Sequence, residues 1–273
     1  MALGNSYMLF NGQKVRVKVV EPEGDIKHRV FVLSSPLISA FNWRKITPEL
    51  SQLGCLTVML DMPGFGDSEP AMGIPGDTRV LSNIAWGVVD QMDMEMGSQS
   101  SWHLIGHGSA CRVILDMANL FPDSVKSQVY ISPQLGGGSA IRGGLFKSRW
   151  YSENIVNPVG YRRFMDSLFA RPADDYVIEI MRELLMAPGI GENLMQTLSR
   201  DARLIPIRGF IPAMAIWGER DILMDRRAQA ALQKLVPEAE THILKTAGFM
   251  PMETHSHALR DYIRGWLKYV DEG

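Results

Sequence analysis

The residues best placed to do chemistry sit in Leu104-Ile105-Gly106-His107-Gly108-Ser109-Ala110, where an apolar β-type run passes through small residues into a helix-period segment. Ser109 is a nucleophile type, His107 a general-base type, and Asp221, after the apolar run Ala213 to Trp217, an acid type. Serine, histidine and acid together are the ingredients of nucleophilic acyl transfer. Their arrangement argues against that chemistry. Ser109 opens the helix, and its hydroxyl is expected to serve there as a helix-start hydrogen-bond group. His107 is read as a pocket or packing residue. His255 and His257 precede the apolar stripe of the last helix and are expected to face solvent. Asp221 reads either as a structural acid bonded to backbone N–H groups, or as a proton-transfer group whose pKa is raised by desolvation.

Two other chemistries are excluded by pattern. Gly106 and Gly108 invite a dinucleotide-binding reading, but the third glycine of that fingerprint is Cys111, the motif follows a later strand, and no acid ends Gln128 to Ile131 to hold a ribose. Cys55 and Cys111 are the only cysteines, one in a strand and one in a helix pattern, and are expected to be buried reduced thiols. No cofactor and no metal are expected. A net charge of −2 and a pI near 6.3 give no field for gripping nucleic acid or an anionic membrane. With no signal-peptide pattern and no membrane-length apolar run, the expectation is a soluble, cytoplasmic protein.

The elements that must position these groups follow from periodicity. In 273 residues, 46% of them hydrophobic, there is enough apolar material for a full core. Strands are expected at Arg29 to Leu33, Leu56 to Asp61, Trp102 to Ile105, Gln128 to Ile131, Ala213 to Trp217 and Thr241 to Leu244, alternating with helix-period segments. Tyr7 to Val20, with Asn11-Gly12 at its turn, reads as an antiparallel hairpin ahead of them. Leu81, Ile84, Ala85, Val88 and Met92 share one helical face; Ala110, Val113, Ile114, Met117 and Phe121 share another. Leu259, Tyr262, Ile263, Trp266, Leu267 and Val270 mark a last packing helix. The fold class is α/β, a mostly parallel sheet with helices on both faces.

The alternation breaks after Pro133 and resumes at Phe210. Residues 134–209 are therefore expected to form an inserted helical cap on a core of 1–133 and 210–273, with Gly136-Gly137-Gly138 and Gly143-Gly144 as hinges. Trp150, Tyr161, Phe164, Leu168, Phe169, Tyr176, Ile180, Leu184 and Met195 supply its apolar surface, to pack within the cap or to line a pocket beneath it.

Four motifs in order give the chain its resemblance. Asp61-Met62-Pro63-Gly64-Phe65-Gly66-Asp67-Ser68 is similar to the D-x-P-G-x-G-x-S loop of α/β hydrolases. Gly106 to Ala110 resembles their nucleophile elbow. Ile216-Trp217-Gly218-Glu219-Arg220-Asp221 ends a strand with an acid, and Ala247-Gly248-Phe249-Met250-Pro251-Met252-Glu253 looks like their G-H-x-P-x-E segment. The chain thus resembles the capped branch of the α/β-hydrolase superfamily that holds esterases and C–C hydrolases. That resemblance implies a Ser-His-acid triad, and two of its three positions are filled by residues that cannot serve. Gly108 stands in the nucleophile slot and Phe249 in the base slot; Asp221 keeps the acid slot. The oxyanion loop aligns Ser34-Ser35-Pro36 with the family's His-Gly and donor, and Pro36 has no N–H to donate, leaving Ser109 N–H.

The expectation is a hydrolase-shaped protein that binds or acts on a small organic molecule in a capped pocket without serine-triad hydrolysis. Two alternatives stand beside it: a pseudoenzyme receptor or scaffold with a protein partner, and a divergent esterase using Ser109 as nucleophile.

Overall fold

A computed structural model describes residues 5–10, 12–71, 76–136, 149–199 and 203–272. Strands made largely of apolar residues, with no polar-apolar alternation, can be satisfied only between two helical layers. Accordingly β4 (Cys55–Leu60), β5 (Trp102–His107), β6 (Val125–Ile131) and β7 (Ala213–Gly218) are buried on both faces almost throughout. With β3 (His28–Leu33) and β8 (Glu240–Leu244) they form the parallel part of an eight-stranded sheet. The remaining two strands are β1 (Asn5–Phe10) and β2 (Gln13–Val20), and the order is β1-β2-β4-β3-β5-β6-β7-β8. Phe10 pairs with Gln13, so β1 and β2 form a hairpin with a two-residue connection, antiparallel to each other and to β4. Alternate residues of β2 are half-exposed, as expected where a sheet turns one face to water.

Among the described residues the helices are α1 (Thr47–Gln52), α2 (Thr78–Met96), α3 (Ala110–Leu120), α4 (Pro158–Phe169), α5 (Asp175–Met186), α6 (Ile190–Ser199), α7 (Arg226–Leu235), α8 (Pro251–Thr254) and α9 (Ser256–Glu272). Asp77, Asn157, Asp174 and Asp225 accept from first-turn N–H groups of α2, α4, α5 and α7, which fixes where those helices begin. The faces read from spacing are the buried ones in α2 and α9. In α3 the stripe stops one residue early: Phe121 is 52% exposed and meets the edge of Trp86 instead of the core.

Between β6 and β7 the chain leaves the sheet for α4, α5 and α6. Tyr161, Met165, Leu168, Val177, Met181, Leu185 and Leu194 bury there, while Tyr176 is exposed. Gly136 is described; 137–148, with the other proposed hinge glycines, lie outside the described residues.

The loop after β4 shows what its motif is for. Asp61 Oδ1 accepts from Ala40 N–H at 2.8 Å and Oδ2 from Asp67 N–H at 3.2 Å. Ser68 donates to Asp61 O at 2.6 Å and accepts from Arg16 N–H at 2.8 Å. A Cβ on Gly66, which has φ +57°, would lie 2.4 Å from Asp61 Oδ2. The aspartate, the second glycine and the serine therefore brace loops; none is free for chemistry.

Candidate active site

In an open parallel sheet the crevice forms where consecutive strands depart in opposite directions. Here that point lies between β3, which leads to β4 on one side, and β5, which leads to β6 on the other. Leu33 is in register with Gly106, so the loops leaving β3 and β5 emerge side by side.

The turn after β5 holds Gly108 at φ +60°. Its N–H donates to Ile131 O at 2.9 Å and its carbonyl accepts from Gln134 N–H at 3.1 Å, which pins the turn to the end of β6. A Cβ built on Gly108 would stand 2.8 Å from Phe249 Cζ and 2.9 Å from Ser35 Cβ. Three positions singled out in the sequence, far apart along the chain, thus meet at one point. Phe249 is 1% exposed, and both its backbone groups are held. Its N–H donates to Leu168 O, at the end of α4, at 2.8 Å, and its carbonyl accepts from His107 Nε2 at 2.8 Å. The His107 and Phe249 rings lie 4.4 Å apart between centroids.

His107 is a packing residue with one polar contact. Complete burial pushes its pKa down to about 4, only partly offset by the bond to Phe249 O. The ring is neutral with its proton on Nε2, and Nδ1 is buried without a hydrogen-bond partner among the described residues. A base that weak takes little part in proton abstraction near neutrality.

Asp221, 8% exposed, lies beyond the end of β7. Oδ1 accepts from Leu223 N–H at 2.9 Å, whereas Oδ2 is buried with no hydrogen-bond partner among the described residues. Ser132, at φ +47°, brings its hydroxyl toward this carboxyl without regular hydrogen-bond geometry. Desolvation raises the Asp221 pKa, with the Leu223 and Ser132 contacts opposing it. A carboxyl whose folded-state pKa is raised favours folding in its protonated form, so its ionisation costs stability as pH rises through that pKa. Asp221→Asn keeps the Leu223 contact and removes the charge. It is expected to raise thermal stability at pH 7, an advantage that disappears once the pH falls below the ordinary carboxylate range, about 4. Melting curves of both proteins from pH 4 to pH 8 check this.

Ser109 departs from expectation. It is αR (φ −70°, ψ −21°) ahead of α3, and its hydroxyl makes no cap hydrogen bond. With its own backbone already helical, the side chain is swung off the orphan N–H groups of the first turn, since a capping residue is normally extended. It is left half-exposed. On the neighbouring loop, Ser34 Oγ accepts from Trp43 Nε1 at 2.8 Å, while Ser35 Oγ is buried without a partner among the described residues. Pro36 is buried in a turn closed by Ile38 N–H to Ser35 O at 3.0 Å. His257 is exposed as expected. His255 is instead half-buried, because its ring meets Thr246 Oγ1 at 3.2 Å and Thr254 Oγ1 at 2.9 Å.

One network beside the crevice was missed in the sequence. Glu253, 4% exposed, accepts from Asn42 Nδ2 at 3.0 Å and Arg44 Nη2 at 3.0 Å, and Lys45 Nζ lies 3.1 Å from it. It ties the loop after β3 to the segment carrying Phe249. In the sequence Glu253 stood only as the last position of the Ala247–Glu253 motif, with nothing to name its partners some 210 positions away.

The chain matches a family model described as alpha/beta hydrolase fold over residues 36–168, a stretch that ends before Asp221 and Phe249. It is 22% identical over 243 residues to the 2-hydroxy-6-oxononadienedioate/2-hydroxy-6-oxononatrienedioate hydrolase of Cupriavidus pinatubonensis, covering 83% of this chain and 81% of that one. The solved 2-hydroxy-6-oxo-6-phenylhexa-2,4-dienoate hydrolase from Rhodococcus sp. strain RHA1 superimposes with a TM-score of 0.76 at 17% identity, over 97% of this chain and 98% of that one. The chain has the α/β-hydrolase fold. A further relative, the dihydrolipoyllysine-residue acetyltransferase component of the acetoin cleaving system from Pseudomonas putida, is 30% identical over 205 residues. The match takes in 71% of this chain and spans about half, 51%, of that relative's length. No described helix is long and apolar enough to cross a membrane.

Proposed function

We propose that this α/β-hydrolase relative binds a small organic molecule in the crevice between Gly108, Ser35 and the helical segment 158–199, which acts as its cap, and that it does so without a covalent serine intermediate. The observation that carries this reading is the 2.8 Å between Phe249 Cζ and the place of a Gly108 Cβ. A ring fills the space in which a nucleophile would swing, and among the described residues no imidazole is bonded to Asp221 to activate one.

The ligand class follows from what is left unpaired. Ser35 Oγ and His107 Nδ1, at the ends of β3 and β5, are buried polar atoms without hydrogen-bond partners among the described residues, and Ser132 Oγ and Asp221 Oδ2, beyond β6 and β7, have only each other, short of regular hydrogen-bond geometry. Native interiors rarely leave such groups unmet, so a cluster of them around one crevice suits a polar ligand. Two relatives are named for hydrolysis of 2-hydroxy-6-oxo dienoates, which favours a small oxo acid or its enol. In this reading Asp221, with its raised pKa, is the group that gives or takes a proton on the bound molecule.

Titration calorimetry with 2-hydroxy-6-oxononadienedioate, followed by mass analysis of the products, tests the reading. Saturable binding with C–C cleavage at the uncatalysed rate is expected, and Asp221→Asn should retain binding while losing any keto–enol exchange the protein accelerates. Catalysed cleavage that disappears in Ser109→Ala would overturn the proposal in favour of a divergent hydrolase. Ser109, half-exposed and free of a capping bond, is the one hydroxyl on the elbow available for that role.

A further inference from the structure

At the opposite end of the parallel strands from the crevice, His28 opens β3, His103 lies near the start of β5, and Asp271 comes from the last turn of α9. One ligand atom from each lies within 4.8 Å of the other two. His28 Nδ1 touches Asp271 Oδ2, and His103 Nε2 is 3.5 Å from the same oxygen. Ligands about 2.0 Å from a tetrahedral zinc are about 3.3 Å from one another, so the spacing needs only small side-chain adjustment.

The surroundings resemble those of a metal-binding histidine more than those of an ion pair alone. His103 is 1% exposed, and its other nitrogen, Nδ1, meets Ser127 Oγ at 2.8 Å. Ser127 is in turn held by a hydrogen bond from Trp266 Nε1 at 3.0 Å. Such an outer contact fixes the ring and leaves Nε2 aimed at the cluster. His28, His103 and Asp271 line a polar cavity of about 180 Å³ whose other walls include Ser100, Ser101 and Lys126. That opening gives a fourth ligand position from solvent. Of the cations nearby, Arg29 is turned to Asp93 at 2.7 Å and Ser98 O at 2.9 Å, and Lys126 contacts Asp271 Oδ1 rather than Oδ2; Lys27 also lines the cavity.

We propose that His28 Nδ1, His103 Nε2 and Asp271 Oδ2 bind one divalent transition-metal ion of the zinc type. The site is separate from the crevice, since His103 and Gly108 are five residues, about 16 Å, apart along β5 and its turn. A bound ion would fasten the end of α9 to the starts of β3 and β5.

The test is titration of the chelator-treated full chain with Co²⁺, followed by visible absorption, and with Zn²⁺, followed by melting temperature. One equivalent is expected to bind, to produce ligand-field absorption and to raise the melting temperature. His28→Gln and His103→Gln should each weaken binding tenfold or more. Lys126→Met, which removes a positive charge next to the ion without replacing a ligand, should tighten it several-fold, and this variant does not depend on how well the buried His103 position tolerates change. Absence of one-to-one binding would overturn the proposal and leave the cluster as a carboxylate clasp. So would equal affinity in His28→Gln and Lys126→Met, which would put the ion on surface groups such as His242 and Glu240.

Discussion

Gly108→Ser is expected to lower stability by about 2–6 kcal/mol, a fall in melting temperature of roughly 4–12 °C for a chain of this size. Two costs add. A residue with a Cβ at φ +60° is strained by about 1–3 kcal/mol. The new Cβ also meets Phe249 Cζ at 2.8 Å and Ser35 Cβ at 2.9 Å, an overpacking of about 1–3 kcal/mol. The ring cannot swing aside cheaply, because it is buried against His107 and both backbone groups of Phe249 are bonded. The ring's share of the cost is separable by a double-mutant cycle. In a Phe249→Ala background Gly108→Ser should cost about 1–3 kcal/mol less than in the parent. Equal cost in both backgrounds would mean that the ring does not occupy the slot. Restoring the chemical types with Gly108→Ser and Phe249→His together is not expected to produce strong esterase activity. Pro36 still lacks an N–H, and one missing oxyanion donor lowers turnover by about a hundredfold or more.

What was legible in the sequence is what depends on local pattern. The strand Leu56 to Asp61 is found at Cys55–Leu60, and Ala213 to Trp217 at Ala213–Gly218, because a run that is apolar on both alternating faces admits few alternatives to a central strand. The meeting of Gly108, Phe249 and Ser35 followed from motif order, since each motif brings its own turn. What escaped was set by contacts between distant segments. Ser109 was given a capping role from its type at a helix start, but its αR backbone directs the hydroxyl elsewhere. Glu253 finds Asn42, Arg44 and Lys45 only when α8 packs beside the loop after β3. His28, His103 and Asp271 converge only when the last helix returns to the start of the sheet; nothing in their spacing is periodic.

The claim at the centre of this account is that the elbow offers no activated nucleophile. A fluorophosphonate probe reports on that directly, since it forms a covalent adduct with serine hydroxyls that a neighbouring base and oxyanion donors activate. Gly108 has no side chain to react. Ser109 is half-exposed, but His107, the nearest imidazole in sequence, is neutral with its pKa near 4 and is engaged with Phe249 O. The difference between an activated and an unactivated serine is several orders of magnitude in rate, so the outcome is close to all-or-none. The decisive measurement is the intact mass of the folded protein after prolonged incubation with excess probe: the account predicts an unshifted mass, and a stoichiometric adduct that is lost in Ser109→Ala would contradict it.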